Sequence, residues 1–595
     1  MEIDDVITEC PAEYRERVEC PTTRGAAEQV GLHAVAARIL ARRIPHLTGP
    51  VSGWLTPSLR DLPDPATLPD AERAAVRIAA AIRQKQSVAL CTDYDVDGIT
   101  AHTVLRDALI HVFGHAAERV SPFIGHRLRD GYGLTDPVCG RIINHKPDLV
   151  ITADCGTSDA PRIERLAAAG IDVIVTDHHS VPAGGVPDAA LATVNPSRHD
   201  SAFADPAIAG CAVVWFLMAQ VRRVLIANGD LPASAPKLAA SLDLVALGTV
   251  ADAVSLFSPT NRVLVLSGLK MMNAGRRPCW RALSAHLGRD RFDVDDLGFQ
   301  IGPRINARGR VADPLAALRF LTASDDGAAA AALAQLDEDN TSRKEIERRM
   351  VSVAREQAQA TLTNASPFVC VYDDSFHPGV QGIVASRLMD RFGRVTAVLS
   401  PSAGGDTLSG SLRSVDGVDI GEALREVARR HPDLLLRHGG HPMAAGVTLR
   451  PANRARFVTA LDAVVREQLG ERRLSPVFWH DGELAPADRS VTTVDALATL
   501  VPFGRGFEAP QFFGGFEVAA ARAVGAEPVH LSLELRASSE TLRAIWFRAL
   551  DTPQSDWPVQ VGESVECIYR LQRDGYRGGD RIQLIVEHAR RAGAS

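Results

Sequence analysis

The sequence contains no CxxC pair among its nine cysteines, at 10, 20, 91, 139, 155, 211, 279, 370 and 567. Zinc knuckles and thioredoxin-like redox chemistry therefore lose their usual signature. An odd count in a long chain fits reduced thiols. Lysine is scarce: five residues, leaving sixty of the 65 cations as arginine, the better bidentate ligand for phosphate. No hydrophobic run is long. The longest uncharged apolar stretch, Pro206 to Val221, lies between Asp205 and Arg222. It falls short of the ~20 residues that cross a bilayer and predicts a buried helix. The N-terminus, MEIDDVITEC, lacks a basic-then-apolar leader pattern, so a cytoplasmic protein without membrane attachment is expected. Positive charge is not in excess either. The net charge of −7 argues against a non-specific duplex coat, though not against a local basic channel. No internal repeat or low-complexity tract is present.

At 595 residues the chain has room for about four domains of ~150 residues. Its 46% apolar and 23% charged composition is that of globular protein. Residues 1–70 read as helices followed by a proline-punctuated connector. From Ser87, three short apolar runs each end in acidic or histidine residues: SVALCTDYDVDG, DLVITADCGTSD and DVIVTDHHS. Helix-period segments separate them, which predicts a parallel α/β sheet over 71–327. Ligands of such sheets sit beyond the carboxyl ends of the strands, where all three polar clusters fall. A long charged helix is expected over 328–363, and a second α/β lobe over 364–474. Five short strands within 475–595 suggest a small barrel of the OB type.

The first cluster offers Asp93, Asp95 and Asp97, and the alternation of an extended segment would put all three on one side. Gly98 would permit a tight turn into the next helix. Three like charges this close repel unless a cation neutralises them. The second cluster offers Asp154, beside a Cys155 that reads as packing, and the third Asp177, His178 and His179. Asp252, in LGTVADAV, is a further candidate. Carboxylates with a minority of imidazole suit Mn²⁺ or Mg²⁺ better than zinc. Two such ions ~3.5–4 Å apart would serve phosphoester hydrolysis. Each cluster alone has a plainer reading as a surface turn, a helix cap or a calcium loop. The calcium loop lacks its Glu, because Val104 stands at position 12 counted from Asp93. The convergence of three clusters on one sheet edge outweighs these readings.

These segments resemble a known family. TDYDVDG, ADCG, TDHH and GTVAD look like the four successive motifs of the DHH phosphoesterase superfamily, and GGHPMAAG (439–446) like the signature of its DHH-associated C-terminal subdomain. HRLRDGYGL (126–134), GPRINARGR (302–310), HPGVQGIVASRL (377–388), GSLRS (410–414) and LVPFGRGFEAPQF (500–512) narrow the likeness to the RecJ family of 5′-to-3′ single-stranded-DNA exonucleases. The resemblance implies an α/β core of two lobes joined by the long helix, plus a C-terminal OB-fold barrel that clasps single strand. It implies a two-metal exonuclease releasing 5′-mononucleotides in recombination and repair. Asp93, Asp95, Asp97, Asp154, His178 and Asp252 would be metal ligands, with Asp154 the bridge and Asp93 a ligand or a supporting group. His179 would orient or protonate the scissile phosphate.

By the same motif match, Arg127, Ser411 and Arg413 would hold a 5′ phosphate. Arg304 or Arg310 would narrow the entrance, and His441 would contact phosphate or support its turn. In the barrel, Tyr569, Arg573, Tyr576 and Arg577 are candidate DNA contacts, whereas Trp546 and Phe547 read as core. The implied partners are single-stranded DNA with a 5′ end, single-strand-binding protein, a strand-supplying helicase and loading factors, with the enzyme itself a monomer. Two departures stand out: Thr92 replaces the usual Gly, and GFEAP replaces GNPxP. The rival readings are a DHH phosphodiesterase of short oligonucleotides or cyclic dinucleotides, and a non-catalytic DNA-binding scaffold. The scaffold would have lost ligands that are all present here. A family-II-type pyrophosphatase would need His at position 91, which is Cys.

Overall fold

The computed structural model describes residues 12–44, 49–127, 129–311, 315–363, 366–402, 404–472, 474–538, 540–550, 552–575 and 578–593. Two compact units emerge: 58–472, and a unit in which 1–57 joins 473–595.

In the smaller unit the chain begins with β1 (Glu13–Glu16), followed by helices Pro21–Gln29 and Ala34–Arg43. Val35, Ile39 and Leu40 share one core with Leu497, Phe507 and Phe512. A division at residue 70 therefore separates segments that pack together. Local patterning cannot show this, because the apolar face that completes these helices lies in the C-terminal region. Arg43 reaches Asp481, 438 positions further on, with Nε and Nη2 at 2.9 and 2.8 Å.

The larger unit opens on a five-stranded parallel sheet: β2 (Val88–Thr92), β3 (Val120–Ile124), β4 (Leu149–Ala153), β5 (Asp172–Thr176) and β6 (Ala192–Val194), in the order β3-β2-β4-β5-β6. β2 and β4 are buried throughout, as parallel strands covered on both faces must be. Alternate residues face opposite layers. Val88, Leu90, Leu149 and Ile151 join the core of helices Ala71–Arg83, Val96–Asp107 and Gly210–Ala227. Ala89, Cys91 and Val150 join that of Asp136–His145 and Ala160–Ala168. Gly210–Ala227 is long and apolar enough to cross a membrane, but 67% of it is buried in this core. The strand order reverses between β2 and β4, which opens a crevice at their carboxyl ends. The edge strand β3 is absent from the sequence reading because Pro122 interrupts VSPFI. Proline is tolerated on an edge strand, and β3 is one.

Helix Asp326–Thr361, 36 residues long, leads to the second sheet. Its strands are β7 (Phe368–Tyr372), β8 (Val395–Pro401), β9 (Leu408–Arg413), β10 (Leu435–His441) and β11 (Ala444–Leu449), in the order β10-β11-β9-β8-β7. Back in the smaller unit, β12 (Val477–His480) pairs in parallel with β1. Then β13 (Phe512–Val524), β14 (His530–Ala537), β15 (Glu540–Trp546), β16 (Ser564–Arg573) and β17 (Ile582–Arg591) close a barrel.

The barrel corrects two expectations. Along β16 the inward positions are Val565, Cys567, Tyr569 and Leu571. Tyr569 is fully buried, with its ring 5.7 Å from that of Phe516, and cannot stack on a base. Phe547, expected in the core, lies just past the end of β15 and is 55% exposed.

Candidate metal centre and strand-end site

β2 ends at Thr92, and the chain turns into helix Val96–Asp107 within three residues. The three carboxylates thus converge through a loop and a first helical turn, not through extended alternation. Asp95 is the N-cap and accepts from Gly98 N at 3.0 Å. Asp97 is buried and accepts from Gly210 N at 2.6 Å and Cys211 N at 2.9 Å, at the positive end of helix Gly210–Ala227. Asp93 is buried, and among the described residues its Oδ1 has no hydrogen-bond partner. Gly98 lies inside the helix rather than in a turn. A Cβ there would lie 2.3 Å from the carbonyl oxygen of Asp93, so only glycine allows the approach.

Asp154 follows β4 with φ of 58°, in the left-handed region that a non-glycine residue occupies at a cost. This aims its carboxylate at His178, whose Nε2 lies 3.1 Å from Asp154 Oδ1. The same nitrogen is 3.7 Å from Asp252 Oδ2 and 3.9 Å from Asp97 Oδ2. Asp252 caps the carboxyl end of helix Leu242–Ala251, where a carboxylate meets the negative end of the helix dipole and gains from a cation. Among the described residues, three groups have ligand atoms within 4.8 Å of one another: Asp93, Asp95 and Asp154; Asp154, His178 and His179; Asp97, His178 and Asp252. Asp154 and His178 each belong to two of these groups. Burial, and the charges of neighbouring carboxylates, push Asp93 and Asp154 well above the usual carboxylate range; burial is also the main cause of the rise at Asp97. An orphaned carboxylate oxygen among buried like charges fits divalent cations, and the oxygen-rich donor set fits Mn²⁺ or Mg²⁺.

His179 is held differently. Burial disfavours its charged form, but the hydrogen bond from Nδ1 to Asp177 Oδ1 (2.7 Å) and the charge of Asp177 outweigh this, raising it to about 9. Asp177 also accepts from the backbone N–H groups of Thr157, His178 and His179, at 2.9, 2.8 and 3.2 Å. It therefore orients the histidine pair and stands outside the ligand groups. Tyr132, which the sequence reading passed over, donates from Oη to the Asp154 carbonyl oxygen at 3.0 Å. From the second sheet, the His441 ring stacks on His179 with centroids 6.5 Å apart and planes at 25°.

Without metal, the stability of the fold should depend on pH. Asp93, Asp97 and Asp154 bind protons more tightly in the fold than in the unfolded chain, and so does His179. Above the unfolded carboxylate pKa of ~3.9 the fold therefore holds the extra protons, and its stability falls as pH rises. His178, lowered by burial, opposes this only below the ordinary histidine range. Calorimetry in EDTA should give a lower melting temperature at about pH 8.5 than at about pH 6.5, and Mn²⁺ should stabilise more at the higher pH. A metal-free melting temperature that rises with pH would sink the argument.

A second set of residues lies on the other sheet. Ser409, Ser411 and Arg413 share one face of β9. A Cβ on Gly382 would lie 2.9 Å from Arg413 Nη2 and 3.7 Å from Ser411 Oγ. Gly382 is the second residue of helix Gln381–Phe392, whose N-cap Val380 supplies no side-chain bond. The sequence reading missed Gly382, although HPGVQGIVASRL carries it. Arg413 Nη1 donates to Leu412 O at 2.8 Å; among the described residues no carboxylate pairs with it, and burial lowers its pKa. Arg127 stacks its guanidinium 4.4 Å over the Tyr94 ring, and its buried Nε has no hydrogen-bond partner among the described residues.

The remaining candidates are not brought into these sets. Arg304 is buried, donating from Nε to Asp337 Oδ1 at 2.9 Å and from Nη1 to Gln300 O at 2.7 Å. Its Nε–H ties this segment to the long helix through Asp337. Arg573 forms a two-pronged pair with Asp495, at 2.7 Å through Nη2. Tyr576, Arg577 and the side chain of Arg310 lie outside the described residues.

Comparison with known proteins follows the same domain order. Residues 87–249 match the DHH family, N-terminal domain; 365–467 the DHHA1 domain; and 480–588 the RecJ OB domain. The single-stranded-DNA-specific exonuclease RecJ of Dickeya dadantii is 35% identical over 540 residues, covering 89% of this chain and 92% of that protein. Its counterpart in Escherichia coli is 34% identical over 529 residues, covering 87% and 89%. The crystal structure of RecJ from Thermus thermophilus in complex with Mn²⁺ has a TM-score of 0.79 at 26% identity, covering 98% of this chain and 80% of that one. With three domains matched in order and relatives matched along nearly their whole length, the chain belongs to the RecJ family of single-stranded-DNA-specific exonucleases.

Proposed function

We propose that this chain hydrolyses single-stranded DNA from a 5′ end, releasing 5′-mononucleotides, with two divalent ions, Mn²⁺ or Mg²⁺. The observation that carries the reading is the sharing of Asp154 and His178 among three ligand groups at the switch point of the sheet. Asp93, Asp95, Asp97, Asp154, His178 and Asp252 would hold the ions. When bound, such ions supply a nucleophilic oxygen at neutral pH and neutralise charge developing on phosphorus. His179, kept protonated by Asp177, donates a hydrogen bond to a phosphate oxygen. His441, stacked on it, presents a second imidazole to the same strand.

The end of the strand would be read elsewhere. Arg413, Ser411 and the backbone amides of the first residues of helix Gln381–Phe392 would offer charge and donors to a terminal phosphate. Arg127 adds a second guanidinium. The reading extends to a role in recombination and repair in the cytoplasm. There a helicase and single-strand-binding protein would supply and guard the strand.

The test is digestion of end-labelled single-stranded DNA with Mn²⁺, comparing 5′-phosphate, 5′-hydroxyl and circular substrates. Mononucleotides released from the labelled 5′ end, and none from circles, are expected. Turnover confined to dinucleotides or cyclic dinucleotides would move the chain to the small-substrate phosphodiesterases, and tight binding without turnover to the scaffolds.

A further inference from the structure

Tyr132 touches two groups of the metal centre without being a ligand. Oη donates to the carbonyl oxygen of Asp154 at 3.0 Å and lies 3.3 Å from both ring nitrogens of His179. The ring meets His179 edge-on, centroids 5.8 Å apart, while 50% of the residue stays exposed. The bond to Asp154 falls on the residue whose φ is 58°. That conformation persists only where neighbours hold it, and Tyr132 is one of those neighbours. His179 Nδ1 is committed to Asp177, and the tyrosine ring packed edge-on against the imidazole limits how far it can turn.

Tyr132 is also joined to Arg127 through a braced turn. The carbonyl oxygen of His126 accepts from the backbone N–H groups of Arg129, Asp130 and Gly131, at 3.1, 2.7 and 3.3 Å. His126 N donates to Asp130 Oδ2 at 2.8 Å, and Asp130 is pinned by Arg141 at 3.0 Å. Beyond Tyr132, Leu134 N donates to Asp159 Oδ2 at 3.2 Å. Arg127 and Tyr132 thus flank the residues Arg129, Asp130 and Gly131, whose backbone N–H groups close on His126. An anion that draws in the Arg127 guanidinium acts on the same turn that leads to Tyr132.

We propose that Tyr132 is a positioning residue that couples occupancy of Arg127 by a 5′ phosphate to the placement of Asp154 and His179, so that the phosphorylated end raises turnover and not only affinity. This rests on the preceding reading of Arg127 as a phosphate ligand. A tyrosine that only supported the loop would serve both kinds of end alike.

The test is steady-state hydrolysis of 5′-phosphate and 5′-hydroxyl single strands by the full chain with Mn²⁺. Wild type should show the higher kcat on the phosphorylated end. In Tyr132→Phe that kcat should fall about tenfold, the worth of one hydrogen bond of this kind, towards the 5′-hydroxyl value. KM for the phosphorylated end should hold, and kcat for the hydroxyl end should fall less than kcat for the phosphorylated end. The double variant with Arg127→Gln should lose no further kcat beyond the larger of the two single effects, as residues acting as a unit do. An equal fall on both ends, a change in KM alone, or additive losses would overturn the coupling. A wild type indifferent to the 5′ phosphate shows the failure of the phosphate reading before any variant is made, and the coupling falls with it. Unchanged Mn²⁺-induced stabilisation in Tyr132→Phe shows that the metal centre survives; its loss would make the tyrosine structural and overturn the proposal.

Discussion

Asp154→Asn should abolish hydrolysis, by at least ~10³-fold in kcat, because several kcal/mol of charge stabilisation disappear with the shared ligand. The same substitution should raise the melting temperature of the metal-free protein. Asp154 is buried, and its carboxylate faces those of Asp97, Asp95 and Asp93. A neutral amide of the same shape removes that repulsion and can keep a hydrogen bond to His178. The two effects have opposite signs for one reason: a site built to hold cations is poorly compensated without them. Mn²⁺ should then stabilise the variant less than wild type, since fewer ligands tie binding to folding. Asparagine retaining a tenth of wild-type kcat, or lowering metal-free stability, would remove Asp154 from the centre of the site.

Much of this site could be read from the chain because its parts are local. A parallel strand buried on both faces must be apolar, so β2, β4 and β5 stand out as short apolar runs. Polar groups needed by a ligand must follow where each strand ends. Asp93, Asp154, Asp177 and His178 are therefore visible in one dimension. What failed needed the third dimension. Gly98 looks like a turn residue until the carbonyl of Asp93 is found beneath it. Tyr132 carries no local sign of its bond to Asp154, a residue 22 positions away. Tyr569 turned inward because barrel parity depends on register, and Phe547 is exposed because its strand ends one residue before it. Composition cannot supply register. Arg304 and Arg413 are alike as letters, and only their neighbours separate them: Asp337 beside the first, and no described carboxylate beside the second.

That contrast sets the second large effect. Arg413→Gln should lower kcat/KM on 5′-phosphorylated single strands roughly 10- to 100-fold, the value of a charge-assisted bond of ~1.5–3 kcal/mol. On 5′-hydroxyl ends it should change little. The fold should not suffer. Arg413 brings a charge into a partly buried place without a described counter-charge, and burial alone lowers its pKa. Glutamine relieves that cost while keeping a donor for the Leu412 carbonyl. Arg304→Gln is the matched control with the opposite expectation. It would leave Asp337 without the Nε–H bond at 2.9 Å, lower the melting temperature, and leave the preference between 5′ ends unchanged. Salt adds an independent check. Each phosphate contact steepens the loss of binding with rising salt, so the slope measured with Arg413→Gln on a phosphorylated end should be shallower by about one contact. An equal loss on both ends, with an unaltered salt slope, would place Arg413 in the scaffold of the second sheet and leave the terminal phosphate to Arg127.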